Sequence, residues 1–403
     1  MKVSTLEIAR ELAISTPSKI LLMVIDGLGG LPDAETGLTE LEAATLPNLD
    51  RLAGVSDVGL TVPIAPGITV GSGPGHLALF GYDPLQFQFR RGALSAMGIG
   101  FDLQPGDVAA RCNFATIDER GLIVDRRAGR ISTEEGARLC ALLREIEIDG
   151  AEVLVEIEKG HRALVVFRGE GLSDALSDSD PHQEGVPIAL VRPLCSEAER
   201  SAAIVNQFIG RALELLRGEK PANAVLLRGF AGLPKAPPMA EVFKLKPAAI
   251  SAFPTYRGIG RIVGMDILPA GDDFESEIEA LERHFRDYDF FYLHVKWTDS
   301  AGEDGRFDEK VKVLEMVDRA IPRLEALGAD VLAVGGDHSC PSAFQEHTWH
   351  PVPFLLHSRW CLPAPVKSFT ERECARGSLG CFPAEQAMLL MLSHAGKLAK
   401  FGA

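Results

Sequence analysis

The sequence predicts an α/β protein: a parallel-sheet core flanked by helices, interrupted by an inserted α+β domain. Two observations carry this. Apolar runs of strand length, closed by Asp-Gly or Gly-Gly-Asp turns, stand near the start of the chain and again late in it. Between them the pattern changes to a capped helix and alternating strands.

Residues 19–25 (KILLMVI) form a nearly unbroken apolar run closed by Asp26, the pattern of a strand buried on both faces of a parallel sheet. Residues 290–297 (FFYLHVKW) and 330–335 (DVLAVG) repeat it. Between these two, Phe307, Val311, Leu314, Val317, Ile321 and Leu324 recur at helical spacing, and Pro322 is expected to kink or shorten that helix. Strand, helix, strand in that order implies a right-handed crossover, so the first strand and the last two fit one sheet. In the middle, Ser132 opens a capping box with Glu135, heading a helix to about Glu147. Residues 152–158 and 162–167 then read as a hairpin turning at Lys159 and Gly160. The Pro-rich stretch 232–238 (GLPKAPP) is a hinge back to the core. The expected domains are therefore residues 1–88 with 237–403, and an insert at 89–236.

A chain of 403 residues exceeds what one core usually spans, about 250–300 residues. A net charge of -15 disfavours nucleic acid or an anionic membrane as partner, while a small anionic ligand needs only a local cluster of Arg and Lys. The seven cysteines are dispersed without a CxxC pair, which points to free thiols in a reducing cytoplasm. Cys340 follows Asp337 and His338 closely enough to approach a metal there. No secretory leader or membrane span is expected, and the sequence leaves oligomeric state open.

Asp26, Asp299 and Asp337 follow the three buried strands, where open α/β sheets place ligand sites. Each alone could be an Asx turn or a helix cap. Asp337 with His338 offers carboxylate oxygen and imidazole nitrogen to one borderline cation. Glu303 lies four residues beyond Asp299, and His347 opens HTWHPVP, whose prolines hold the chain extended. Ser72 stands in GITVGSGPGH, where flanking glycines permit close approach to a phosphate or metal, and where it could also cap the helix that follows. Together these seven residues read as two adjacent divalent-metal sites with a serine nucleophile, chemistry suited to phosphoryl transfer. Arg126, Arg127, Arg130, His161, Arg162 and Arg228 in the insert, with Arg257, Arg261 and Lys296 beyond it, suit a doubly anionic small molecule. Singly, each could be solvated surface charge.

IDGLGG (25–30), LEAATLPNLD (41–50), GSGPGHLALFGYDP (71–84), RCNFAT (111–116), DRRAGR (125–130), KWTD (296–299), GDHS (336–339) and His347 occur in this order. In these motifs the chain resembles the cofactor-independent phosphoglycerate mutases, in particular their shorter archaeal-type branch, within the alkaline phosphatase superfamily. The resemblance spans about residues 20–358. It implies an alkaline-phosphatase-like core and two divalent ions, foremost Mn²⁺, with Mg²⁺, Co²⁺ and Zn²⁺ as alternatives. One ion would fall to Asp26, Ser72, Asp337 and His338, the other to Asp299, Glu303 and His347. Substrate would be bound by His76, Asn113, Asp125, Arg126, Arg127, Arg130, Arg162, Arg228, Arg257, Arg261 and Lys296. The implied reaction is ping-pong: Ser72 takes the phosphoryl group of 3-phosphoglycerate and returns it to the 2-hydroxyl, with the insert holding glycerate away from water. A metal-dependent phosphomonoesterase or another phosphomutase of the superfamily is the alternative. Two positions depart from the family pattern. Glu303 stands where a histidine is usual, with His350 nearby as a substitute imidazole, and Gly-Pro-Gly follows Ser72 where Asp-Thr-Ala is usual.

Overall fold

The computed structural model describes residues 4–402. The chain divides into two compact units, Met1–Gln88 with Ala236–Ala403, and Phe89–Lys235. In chain order the strands are β1 (Ile20–Ile25), β2 (Asp57–Val62), β3 (Val108–Ile117), β4 (Ile123–Asp125), β5 (Glu152–Lys159), β6 (Arg162–Arg168), β7 (Ala224–Ala231), β8 (Pro247–Ile250), β9 (Asp266–Ile267), β10 (Phe290–Val295), β11 (Val331–Gly335), β12 (Val352–Ser358) and β13 (Gly380–Pro383).

The first unit is built on an eight-stranded sheet in the order β13-β2-β12-β11-β1-β10-β8-β9. β1 lies between β11 and β10 and runs parallel to both, with Ile20 opposite Val331 and Phe290. The early strand and the two late ones thus share a sheet, as their turn pattern predicts. β12 alone is antiparallel to its neighbours β11 and β2, a reversal no local pattern announces. Every residue of β1 and β10 is buried, because helices cover both faces. On one face Leu21, Met23, Ile25, Phe291, Leu293 and Val295 pack against Ile278, Leu281, Leu314, Val317 and Ile321. Each such side chain contributes roughly 1.5–3 kcal/mol when fully buried. That packing explains a correction: the helix Phe307–Ala326 runs through Pro322 for 20 residues. Burial of Ile321 and Leu324 on either side outweighs the roughly 3 kcal/mol that an interior proline costs.

The second unit is antiparallel throughout, with β4-β3-β6-β5 in order and β7 also paired to β3. Val108, Ala110, Cys112 and Phe114 of β3 pack one face against Leu139, Cys140 and Phe208 of the helices Thr133–Leu143 and Glu199–Leu215. The β5–β6 hairpin turns through Gly160 at φ 59°. Only half of the expected capping box forms. Ser132 accepts the Glu135 N–H, but the Glu135 carboxylate turns to Arg138, and the helix ends at Leu143 rather than about Glu147.

Among the described residues no helix is long and apolar enough to cross a membrane. One buried carboxyl gives the first unit a pH-dependent stability. Burial pushes Glu277 up to about 8, against the Ala252 N–H that its Oε1 accepts at 2.6 Å. With the folded pKa above the unfolded one, the folded chain holds the extra proton between pH about 4.5 and 8, and stability is lost as pH rises through that window. Glu277→Gln removes the slope. Relative to the parent it gains on the order of 3 kcal/mol between pH 5 and pH 9. Thermal unfolding of both chains at these two pH values checks this, and a pH-independent difference contradicts it.

Candidate active site

Because β11, β1 and β10 are adjacent and parallel, their carboxyl ends form one continuous edge. Asp26 follows β1, Asp337 and His338 follow β11, and Asp299 lies in the short helix Trp297–Glu303 after β10. All four side chains are buried. Ser72 begins the helix Ser72–Leu79. Its N-cap is Gly71, so the serine hydroxyl makes no capping bond and stays available. The Gly-Pro-Gly after it has a packing reason, since a Cβ on Gly75 would lie 2.3 Å from Asp337 O. Only glycine lets this helix approach the strand end so closely. Gly27, at φ +66°, likewise leaves no room for a Cβ, which would meet Asp299 Cα at 2.9 Å.

His338 Nε2 faces Asp26 Oδ1 at 3.1 Å, Ser72 Oγ at 3.3 Å, Asp337 Oδ2 at 3.4 Å and Asp299 Oδ1 at 3.6 Å. One ring nitrogen carries at most one proton and cannot satisfy four oxygens. Asp26 Oδ1, Asp299 Oδ1 and Asp337 Oδ2 are buried without a hydrogen-bond partner. Orphaned buried carboxylate oxygens converging with an imidazole and a hydroxyl fit a divalent cation, and Asp26, Asp337 and His338 form one such donor group. His347 stacks on His338 with ring centroids 3.7 Å apart. Its Nδ1–H donates to Val70 O at 2.9 Å, which fixes the tautomer and turns Nε2 toward Asp299 Oδ1 at 3.4 Å and Glu303 Oε1 at 3.7 Å. Glu303 is half exposed at the rim.

Burial alone would raise the Asp26 carboxyl, but Lys296, His294 and His338 hold it well below the usual carboxylate range. The Lys296 ammonium lies 3.4 Å from Asp26 Oδ2 and contacts Asp299 Oδ2 more closely. Expected on a substrate phosphate, it is here the counter-ion of two carboxylates. Two contributors escaped the sequence reading. His294 Nε2 lies 3.1 Å from Asp26 Oδ2, and the Tyr256 hydroxyl donates to Ser72 Oγ at 3.4 Å while its ring stacks on His294 at 3.6 Å. A histidine inside the apolar run FFYLHVKW, two residues before Lys296 and so on the same strand face, was the available signal.

Some expected residues lie elsewhere. His76, expected to touch substrate, has no exposed surface. Its Nδ1–H donates to Ser72 O at 2.8 Å, and the same nitrogen lies 3.1 Å from Asp337 Oδ2, beneath the serine. Among the described residues His350 joins no donor group; its Nδ1 meets Thr348 Oγ1 at 3.1 Å and its ring stacks on Trp349. Cys340 does group with Asp299 and His347, but its S–H donates to Asp299 O at 3.7 Å, and the oxygen donors around it suit harder ions than a thiolate does. Arg257 and Arg261 share the helix Pro254–Ile262 with Tyr256, and Arg257 Nε is buried without a partner.

In the second unit, strand pairing gathers the basic residues. Asn113 lies opposite Arg162, and Arg111 opposite Arg228, so the four share one face of the sheet. Arg111, from the RCNFAT motif, donates to Ser95 Oγ at 2.7 Å and Glu158 Oε1 at 3.2 Å. Burial, then Arg91 and Arg111, lower Arg228 to about 9, the mark of a crowded cationic face. Asn113 Oδ1 is buried without a partner. Arg126 grips Asp180 through two bonds of 2.9 and 2.7 Å. Asp125, expected at substrate, instead accepts the backbone N–H groups of Arg127 and Gly129 at 2.7 and 2.5 Å and shapes the turn. That turn holds Ala128, Gly129 and Arg130 at φ 45°, 63° and 55°, strained for the two non-glycines, and leaves Arg127 and Arg130 exposed.

Fold and site together define an α/β protein built on a mostly parallel sheet, with candidate metal donors gathered round a helix-borne serine. A probable 2,3-bisphosphoglycerate-independent phosphoglycerate mutase of Thermus thermophilus is 51% identical over 401 residues, covering 98% of this chain and 99% of its own. The profile of the 2,3-bisphosphoglycerate-independent phosphoglycerate mutases matches residues 53–223. The cofactor-independent phosphoglycerate mutase of Thermoplasma acidophilum superposes with TM-score 0.69 at 32% identity, covering 94% of this chain and 100% of its own. A Pyrococcus horikoshii protein superposes with TM-score 0.82 at 29% identity over 96% of this chain and 99% of its own. The chain belongs to the 2,3-bisphosphoglycerate-independent phosphoglycerate mutase family.

Proposed function

We propose that the protein is an isomerase that interconverts 3-phosphoglycerate and 2-phosphoglycerate without a bisphosphoglycerate cofactor, through a phosphoserine on Ser72. The observation that carries this is the buried cluster in which Ser72 Oγ stands 3.3 Å from His338 Nε2 beside orphaned oxygens of Asp26, Asp299 and Asp337. Asp26, Ser72, Asp337 and His338 would hold one divalent ion, and Asp299, His347 and Glu303 a second. Bound there, the ions supply Lewis-acid polarisation of phosphoryl oxygens and a lowered pKa for the serine hydroxyl. The predominance of oxygen donors favours Mn²⁺ or Mg²⁺ over Zn²⁺.

Ser72 Oγ displaces the 3-oxygen of glycerate from phosphorus, the serine proton ending on that oxygen; glycerate stays bound and reorients, and its 2-hydroxyl displaces Ser72 Oγ in turn, its proton returning to the serine. Tyr256 O–H orients Oγ and offsets its developing charge, and Lys296 keeps Asp26 and Asp299 ionised. His76 bonds Ser72 O within the first turn of the serine helix and lies beside Asp337. On the second unit's sheet Arg111, Asn113, Arg162 and Arg228 present guanidinium and amide donors suited to a carboxylate or phosphate, with Arg127 and Arg130 on the adjoining turn. Such a reaction belongs to glycolysis and gluconeogenesis, and we place the protein in the cytoplasm.

The assay that tests this supplies 3-phosphoglycerate and Mn²⁺ without bisphosphoglycerate. Formation of 2-phosphoglycerate is expected, and no reaction with any divalent metal overturns the reading. Glu303→His probes the rim ligand. Because Glu303 reaches toward His347 Nε2 at 3.7 Å, exchanging its oxygen for imidazole shifts metal preference toward softer ions. Activity measured across Mn²⁺, Co²⁺ and Zn²⁺ should move by about tenfold in the Zn²⁺ to Mn²⁺ ratio. An unchanged ratio removes Glu303 from the ligand set.

A further inference from the structure

At the opposite edge of the first unit's sheet a second set of donors converges. Asp57 opens β2, Cys361 lies in the turn after β12, and His394 ends the helix Ala387–His394. Each offers one ligand atom, and these atoms all lie within 4.8 Å of one another. Ser358, three residues before Cys361, pairs with Val331 at the start of β11, whereas Asp337 and His338 follow the other end of that strand. The two clusters therefore share no donor and sit a strand length apart.

The surroundings of Cys361 are those of a sulfur prepared for a cation. The Ser358 N–H points at its Sγ from 3.3 Å. N–H donors aimed at sulfur stabilise the thiolate that a metal requires. The neighbouring ligands are also oriented. His394 Nδ1 is 2.8 Å from Ser358 Oγ, and Asp57 Oδ1 accepts from Ser378 Oγ at 2.6 Å and Leu362 N at 3.2 Å. Ser358 Oγ lies 3.9 Å from Cys361 Sγ, so it stands beside both imidazole and sulfur.

One sulfur, one imidazole and one carboxylate make a donor mix suited to tetrahedral Zn²⁺ rather than to the harder ions that suit the strand-end cluster. We infer that Asp57, Cys361 and His394 form a Zn²⁺ site that clips the end of the helix Ala387–His394 to the turn after β12 and the start of β2. A four-coordinate Zn²⁺ holds its ligands about 3.3–3.8 Å apart, so the side chains close by roughly an ångström. Ser358 Oγ or a water takes the fourth position. On binding, the Cys361 S–H, which donates to Leu356 O at 3.2 Å, gives its proton to solvent and the sulfur takes the ion instead.

The test uses the full-length chain stripped of metal. Titration with Co²⁺ is expected to produce thiolate-to-cobalt charge-transfer absorption that is lost in Cys361→Ser and retained in Cys340→Ser. Titration with Zn²⁺ is expected to show one equivalent fewer per chain in Cys361→Ser, with affinity at this site weakened at least about a hundredfold. His394→Ala provides an independent variant should Cys361→Ser fail to fold, and it too should lose that equivalent. Absence of the thiolate band in the parent chain, its survival in Cys361→Ser, its loss in Cys340→Ser, or unchanged Zn²⁺ stoichiometry in both Cys361→Ser and His394→Ala overturns the site.

Discussion

Ser72→Ala abolishes turnover, by at least roughly 10³-fold, while the divalent-metal content stays near that of the parent chain. The asymmetry follows from the geometry. Ser72 is the hydroxyl in the cluster that no cap consumes, whereas Asp26, Asp337 and His338 keep their places without it. Alanine is also a good residue for the first turn of the helix Ser72–Leu79, so the substitution leaves the backbone in place. Steady-state rates with 3-phosphoglycerate, beside metal analysis of both chains, check the two halves separately. Near-parental turnover in Ser72→Ala refutes the nucleophile.

Removal of the divalent ions has the second large effect, because it leaves like charges facing one another in a buried site. Asp26, Asp299 and Asp337 are each at most 1% exposed, and Lys296 is the fixed cation that contacts two of them. Without the ions, His347 between Asp299 and Glu303 is pushed up to about 10, so protonated imidazole takes over part of the balance. A chelator should therefore bring turnover to background and lower the unfolding temperature by several degrees, both restored by Mn²⁺. An ion present at a hundred times its Kd stabilises the fold by about 2.7 kcal/mol per site, which sets the scale of the shift. Full activity and an unshifted unfolding temperature in chelator contradict the donor assignment.

The strand-end acids are legible in the sequence because a strand buried on both faces is a solid apolar run, and an acid at its end stands out. Asp26, Asp299 and Asp337 need nothing more than that contrast, and the structure brings them together because β11, β1 and β10 are neighbours. Tyr256 and His294 are not legible in this way. Each acts on a residue far off in the chain, Ser72 and Asp26, and each sits inside a pattern that reads as ordinary core. His76 and Asp125 show the converse. Their motifs place them near the chemistry, but sequence proximity carries no direction, and the local backbone claims both side chains. The reversal at β12 depends on pairing with β2, about 300 residues earlier, which no short window contains. The arginine face of the insert is intermediate. Its members are visible singly, but their sharing of a face depends on the register of β3 with β6 and β7.

The most direct measurement follows the phosphoryl group itself. With 3-phosphoglycerate, Mn²⁺ and ¹⁸O-labelled water, the ratio of 2-phosphoglycerate to free phosphate reports whether Ser72 returns the group to glycerate or yields it to solvent. Predominant 2-phosphoglycerate without ¹⁸O in its phosphoryl oxygens is the predicted result. Predominant free phosphate carrying ¹⁸O would contradict it and make the protein a metal-dependent phosphomonoesterase.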